Sequence, residues 1–325
     1  MAKLIDITGK AISGEWGTDD PDGTGIRVLR TTNFTNDGVV DYNDVVTRKI
    51  AKKNMDSKYL RHGDIIIEKS GGSDKQPVGR VIYFEGPEQT YLFNNFTGLL
   101  RVRDQNTWLP RYVFYSLFSN YLAGGTRAYE NRTTGLHNLQ TDSYISSFEV
   151  RPVSIEKQAE ICSNLDKIIH IISLKKKQIS KMDELVKSRF VEMFGKNEFE
   201  QIPFDSVCEF LRNGASVKQT KGAGGYPITR IETLANDVFN PDRLGYANIT
   251  DLDGFERYIL QKGDILISHI NSVAYLGRAI QYRGEVNTSV IHGMNLLCAR
   301  LKKGYNSTYV EHFFKTPMAK DYIST

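Results

Sequence analysis

Leu60-Arg61-His62-Gly63-Asp64-Ile65-Ile66-Ile67 is answered later in the chain by Leu260-Gln261-Lys262-Gly263-Asp264-Ile265-Leu266-Ile267. In both, a glycine-aspartate pair leads into an aliphatic run, the pattern of a tight turn entering a strand. The match extends outward in each direction. Upstream, Ile26-Arg27-Val28-Leu29-Arg30-Thr31 faces Tyr226-Pro227-Ile228-Thr229-Arg230-Ile231. Downstream, Val78-Gly79-Arg80 with Ile82-Tyr83 faces Leu276-Gly277-Arg278 with Ile280-Gln281-Tyr282, and Arg111-Tyr112-Val113 with Phe114-Tyr115 parallels Thr308-Tyr309-Val310 with Phe313-Phe314. Matches in one order at a nearly constant offset mark a tandem duplication.

Each copy reads as mixed α/β. The Gly-Asp-Ile run and the Gly-Arg-hydrophobic run are strands. Pro110 to Leu122 carries apolar residues at helical spacing, with proline suited to the first turn and Gly124-Gly125 to end it. Between the copies the period changes. Ile161, Leu165, Ile168, Ile172, Ile179, Met182 and Val186 alternate by threes and fours, broken once at Lys175, and no glycine or proline occurs from Ser154 to Phe194. Ser154 suits an N-cap, Glu156 the positive end of the helix dipole and Gly195 a C-terminal stop. Such a helix is a rod of about 55 Å, and its two-per-heptad seam calls for another helix in a coiled coil. The expected fold class is α+β, with two tandem mixed α/β domains, 1–153 and 197–325, joined by a long coiled-coil-forming helix over 154–196. In the repeat alignment Thr325 falls near Ala128, so the second copy lacks counterparts of Tyr129 to Asn138 and of the long helix; the expectation is a C-terminally truncated form or the product of an interrupted gene.

A chain of 325 residues with 40% hydrophobic and 25% charged residues fits two soluble domains, and a net charge of +4 is compatible with nucleic-acid binding without establishing it. Cys162, Cys208 and Cys298 are far apart, so reduced, buried thiols in a cytoplasmic protein are expected. Met1-Ala2-Lys3-Leu4-Ile5-Asp6 places an acid where a signal peptide is apolar, and no run is long and apolar enough to span a bilayer.

Catalytic patterns are missing. Asn240-Pro241-Asp242 lacks the second proline and the aromatic residue of an amino-methyltransferase motif, and Gly222, Gly224 and Gly225 are not followed by the Gly-Lys-Ser/Thr of a phosphate loop. Asp64 with Glu68-Lys69 resembles a nuclease site only faintly, because adjacent strand residues point to opposite faces. His62, His137, His170, His269, His292 and His312 show no metal-ligand spacing, and no Gly-x-Ser-x-Gly elbow occurs. No catalytic residue, metal or cofactor is expected. A duplicated domain without catalysis points toward binding.

Three features together resemble the specificity subunits of type I restriction-modification systems. One is the half-domain opening at Leu4-Ile5-Asp6-Ile7 (second copy Phe204-Asp205-Ser206-Val207) followed by the two strand motifs. The second is Gly135-Leu136-His137-Asn138-Leu139, leading through Phe148-Glu149-Val150 into Arg151-Pro152-Val153-Ser154-Ile155-Glu156-Lys157-Gln158-Ala159-Glu160-Ile161. The third is the helix itself, leaving through Arg189-Phe190-Val191-Glu192-Met193-Phe194-Gly195. The resemblance implies two target-recognition domains reading a bipartite, asymmetric duplex DNA target. It also implies methyltransferase subunits docked on the spacer to methylate adenine, and ATP-driven restriction subunits that cut unmodified DNA. In the family a second long helix lies antiparallel to the first; its absence here raises a homodimer through the seam from Ile161 to Val186.

On that reading the DNA contacts fall where framework strands end. In the first domain the candidates are Arg30, Thr31, Asn33, Lys69, Ser70, Arg80 and the loop from Arg127 to Asn138, especially Asn131, Arg132 and Thr133. In the second they are Arg230, Glu232, Ser268, Asn271 and Arg278. Arg30/Arg230 and Arg80/Arg278 recur, which suits backbone contacts or framework support better than base reading. Two other readings stand beside this one: the recognition portion of a single-chain restriction/methylation enzyme, and a non-DNA coiled-coil adaptor.

Overall fold

In the computed structural model, residues 1–51, 55–74, 76–133, 136–195, 199–220, 224–270 and 276–324 are described. The chain forms two compact units, Met1–Ser173 and Leu174–Thr325.

The repeated Gly-Asp motif builds the centre of each unit. In the first, Ile65–Glu68 lies between Thr97–Leu100 and Val81–Tyr83, with Ile12–Ser13 beyond Thr97–Leu100, all antiparallel. In the second, Ile265–Ser268 lies between Leu296–Leu301 and Ala279–Gln281, with Cys208–Asn213 beyond Leu296–Leu301. Strand order and direction are the same, and so is the register: Ile65 faces Tyr83 and Leu100, as Ile265 faces Gln281 and Ala299.

The motif recurs for a physical reason. Gly63 and Gly263 have φ of 91° and 100°, which a side chain would resist. The next carboxylate closes the turn: Asp64 Oδ2 accepts from the Arg61 amide at 2.7 Å and Asp264 Oδ2 from the Gln261 amide at 2.8 Å. Each buried carboxylate is then gripped in bidentate fashion from a neighbouring strand. Arg101 donates to Asp64 at 2.7 and 2.6 Å, and Arg300 to Asp264 at 2.8 Å twice.

These strands are covered on both faces, which is why they read as unbroken aliphatic runs. Ile65 and Ile67 join a core with Leu4, Val113 and Leu117, while Ile66 points into another with Leu29, Phe84 and Phe93. Ile265 and Ile267 likewise part from Leu266. Pro110–Leu122 is helical, with proline in its first turn and Gly124 at a φ of 78° just beyond it.

The long helix runs from Ile155 to Phe194, 40 residues or about 60 Å. Ser154 Oγ accepts from the Lys157 amide at 3.3 Å, the N-cap bond. Its first turns are built into the first unit. Gln158, wholly buried, accepts from the Leu109 amide at 2.8 Å and donates to the carbonyls of Thr107 and Val153 at 2.9 and 3.0 Å. Asp166 takes two bonds from Arg111, at 3.0 and 2.7 Å, and a further one from the Tyr115 hydroxyl. At the other end, the rings of Phe190 and Phe194 lie 5.2 and 5.1 Å from that of Tyr309 in the second unit.

Two expectations are corrected here. Ile161 and Leu165 are not free seam positions, because they pack on the core of the first unit beside Ile169 and buried Cys162. Ile168, Ile172, Ile179, Met182 and Val186 remain between 47% and 61% exposed. The expected loop from Arg127 to Asn138 contains regular structure: a 3-10 turn at Arg127–Tyr129, then strands Glu130–Thr133 and Leu136–Leu139 paired antiparallel.

Candidate nucleic-acid interface

The hairpin formed by Glu130–Thr133 and Leu136–Leu139 adds to Ser70–Gly72 as a three-stranded sheet. Asn131 opposes Asn138 directly and Asn138 meets Ser70 across an irregularity in the register, so three of the expected contact residues lie side by side across the sheet. Asn131 is exposed, and Asn138 and Ser70 are half-buried. Thr31 lies near Gly71, on the same strand as Ser70: a Cβ on Gly71, whose φ is 131°, would stand 3.9 Å from Thr31 Oγ1 and 3.0 Å from buried Glu68 Oε1.

A polar latch holds the hairpin. Glu130 Oε1 accepts from the Val78 amide at 3.0 Å, and its Oε2 lies 3.1 Å from His137 Nδ1. His137 Nε2 is 3.7 Å from Asp74 Oδ1. Arg127, exposed, donates to the Asp74 carbonyl at 3.4 Å and borders a cleft of about 670 Å³ with Gln76, Tyr121 and Leu122. Lys69 lies in another cleft, of about 440 Å³, lined also by Ser13 and Thr141; burial lowers the ammonium's pKa.

Several expected contacts prove to be framework. Asn33 is 2% exposed, and its amide is spent within the fold: Oδ1 accepts from the Arg30 amide at 2.9 Å and Nδ2 donates to the carbonyls of Asp41 and Asp44, both at 3.0 Å. Arg80 grips buried Glu68 at 3.2 and 2.9 Å and donates to the carbonyls of Phe34 and Thr31 at 3.0 and 3.1 Å. Its guanidinium is a strut between strand and turn, with most of its N–H donors spent inside the fold. Arg30 is tied to Asp44 at 2.8 Å.

In the second unit Ser268 stands where Glu68 would, is 3% exposed and cannot reach a ligand. Arg278 instead pairs with Asp237 at 2.9 Å and donates to the Leu234 carbonyl at 2.8 Å. Arg230 is partly exposed, 3.9 Å from exposed Glu232, and its amide donates to Thr233 Oγ1 at 2.9 Å, repeating the Arg30–Asn33 turn. The side chains of Arg132 and Thr133, and all of Asn271, lie outside the described residues.

Sequence reasoning passed over the Glu130–His137 latch and the role of Gln158. An acid inside a polar stretch was one signal for the first, and an isolated glutamine near a helix start for the second. Cys162, Cys208 and Cys298 are free and buried, and burial pushes the Cys162 thiol up to about 11. Among the described residues no cluster of three or more His, Cys, Asp or Glu side chains could hold a metal, and no helix is long and apolar enough to cross a membrane.

Comparison with known proteins agrees with this architecture. Residues 3–183 match the family model of the type I restriction modification DNA specificity domain. A Methanocaldococcus jannaschii chain assigned as specificity subunit of the type I restriction enzyme MjaX is 38% identical over 144 residues, covering 41% of this chain and 34% of that one. The specificity subunit of the Escherichia coli K12 type I restriction enzyme EcoKI is 25% identical over 321 residues, covering 90% of this chain and 65% of its own length. The chain thus spans less than two thirds of either curated relative. Its fold is similar to that of a chain from a structure of type I R-M complex assembly (TM-score 0.51, 13% identity, 98% of this chain and 80% of that one). It is also similar to the type I restriction-modification S subunit of M. genitalium (TM-score 0.50, 12% identity, 99% and 77%). By its family match, its duplicated units and its long intervening helix, the chain belongs to the type I restriction modification DNA specificity family.

Proposed function

We propose that this chain reads duplex DNA without catalysis of its own, as the specificity component of a cytoplasmic type I restriction-modification enzyme. Residues 1–153 and 197–325 act as two recognition domains, and 154–196 as the spacer between them. Two unlike readers on a stiff helix multiply their selectivities, because the second contact is intramolecular once the first has formed. The target is therefore bipartite and asymmetric. Methyltransferase subunits dock on the spacer, whose exposed seam from Ile168 to Val186 takes up another helix, and restriction subunits join that assembly. Sedimentation of the chain as a strict monomer at micromolar concentration, even with its methyltransferase subunit present, contradicts this docking.

The observation that carries the reading is the row Asn131–Asn138–Ser70 on a latched hairpin. In the major groove an asparagine amide pairs with the adenine edge. Anisotropy titrations of fluorescent duplexes test it. Asn131→Ala should change the preferred sequence at one position while leaving the salt dependence of binding alone, because a base contact releases no counterion. An unchanged sequence preference removes the hairpin from the reading surface.

A further inference from the structure

We infer that the exposed stretch of the long helix from Leu174 to Arg189 is covered by a helix of a different protein, which sets a carboxylate against Lys175, and not by a second copy of this chain. The inference rests on the docking proposed above and names the chemistry of the partner.

Both ends of the long helix are already occupied. Ile161 and Leu165 pack on the core of the first unit, and Phe190 and Phe194 lie against Tyr309 in the second. Between these ends Ile179, Met182, Leu185 and Val186 remain between 47% and 65% exposed. At about 100° of rotation per residue these four side chains fall on one face, about 120° wide. An apolar face of that width is a docking face.

Lys175 stands inside this face and not at its border. It takes the seam position between Ile172 and Ile179, and the same rotation sets it between Met182 and Val186. Its ammonium donates to Gln178 Oε1 at 3.2 Å and pairs with no carboxylate among the described residues. Any helix laid on the face takes that charge out of water. One neutral amide does not offset the desolvation, so the covering helix must bring an anion. The stretch itself cannot supply it. From Leu174 to Arg189 there are six basic side chains and two acidic ones. Glu184 lies on the opposite face, and Asp183 is eight residues on, about 12 Å along the axis.

A second copy does not supply it either. In parallel pairing Lys175 meets Lys175, and in antiparallel pairing about Ile179 and Met182 it meets Val186. Neither sets a carboxylate opposite the ammonium. Self-pairing also brings together two basic stretches of a chain that already carries a net charge of +4. A lone lysine in an apolar seam therefore selects the partner, since a helix bearing Asp or Glu at the facing position is favoured and a copy is disfavoured.

Sedimentation and fluorescence titration of the full chain, with the methyltransferase subunit proposed to dock on it, test this. The parental chain alone should sediment as a monomer at micromolar concentration. Lys175→Leu, which makes the apolar face continuous, should dimerise. Lys175→Glu should weaken binding of the methyltransferase subunit about thirtyfold or more, the loss that follows breaking a buried charge pair. Lys177→Glu, the same change of charge on the opposite face, should weaken it by less than about fivefold. Parental dimers, a Lys175→Leu chain that stays monomeric, or a Lys175→Glu chain weakened no more than Lys177→Glu, overturns the inference and leaves docking on the helix intact. A parental chain that binds no methyltransferase subunit overturns the docking proposal itself, and this inference with it.

Discussion

Replacing Gln158 with alanine removes one of the fastenings that hold the start of the long helix in the first unit. The side chain is fully buried and makes three hydrogen bonds, to Leu109, Thr107 and Val153. At about 1 kcal/mol net for each, the loss is about 3 kcal/mol, and the Leu109 amide is left without its acceptor. Both tryptophans of the chain, Trp16 and Trp108, belong to the first unit, so their emission follows its unfolding without reporting on the second. With a urea dependence of about 2 kcal/mol per molar, the midpoint should fall by about 1.5 M. Gln158→Glu separates hydrogen bonding from size. It faces the two carbonyls with a second oxygen, so burial and repulsion raise the folded-state pKa of the introduced carboxyl. Below pH of about 4 the group is protonated folded and unfolded alike. As pH rises past the unfolded value of about 4.3 the unfolded chain ionises first, and stability falls. The variant should therefore be weaker at pH 7 than at pH 4. A midpoint shift below about 0.3 M for Gln158→Ala, or a pH-independent Gln158→Glu, would refute the reasoning.

Other consequences of the geometry are as direct. Asp64→Asn and Asp264→Asn each leave a gripped guanidinium unpaired and should cost about 3–5 kcal/mol, read as a lowered calorimetric transition; a loss under about 1 kcal/mol would show the clamp to be dispensable. The Cys162 thiol, held up at about 11 by burial, makes the folded state lag behind the unfolded one in losing its proton. Its contribution should therefore lower stability as pH climbs from about 9 to 11, and Cys162→Ala should flatten that decline; an equally steep decline in the variant contradicts the linkage. Glu130→Gln weakens the charge-assisted half of the hairpin latch, and amide exchange at Val78 and Leu139 should quicken about tenfold while the central strand is unaffected. Exchange unchanged at both amides would mean that the hairpin stands without its latch.

The duplication, the central strands and the long helix were all legible because they rest on local pattern. Gly-Asp followed by aliphatic residues states its turn and strand together, and a helix without glycine or proline from Ser154 onward states its extent. What escaped was set by partners distant in sequence. Asn33 and Arg80 are polar residues of the kind that contact DNA, yet Arg80 is consumed by Glu68 on the adjacent strand, and nothing local announces it. Ser268 is hidden by burial alone, its hydroxyl without a hydrogen-bond partner among the described residues. The hairpin Glu130–Leu139 lacks the apolar alternation of a strand, and its pairing with Ser70–Gly72 comes from a residue stretch some sixty positions away. Ile161 and Leu165 fit the seam's period as well as Ile172 does; periodicity identifies a helix face without saying which neighbour covers it. The row Asn131–Asn138–Ser70 was partly legible, its members named but their alignment not.

The proposed function requires two unlike readers on one spacer helix. Selection of duplexes from a randomised pool by the chain, together with the methyltransferase subunit proposed to dock on it, followed by sequencing, measures this most directly. Two short, dissimilar conserved blocks separated by an unread gap of constant length are the expected product. A single conserved block, or two blocks whose gap varies freely among the selected duplexes, would contradict it.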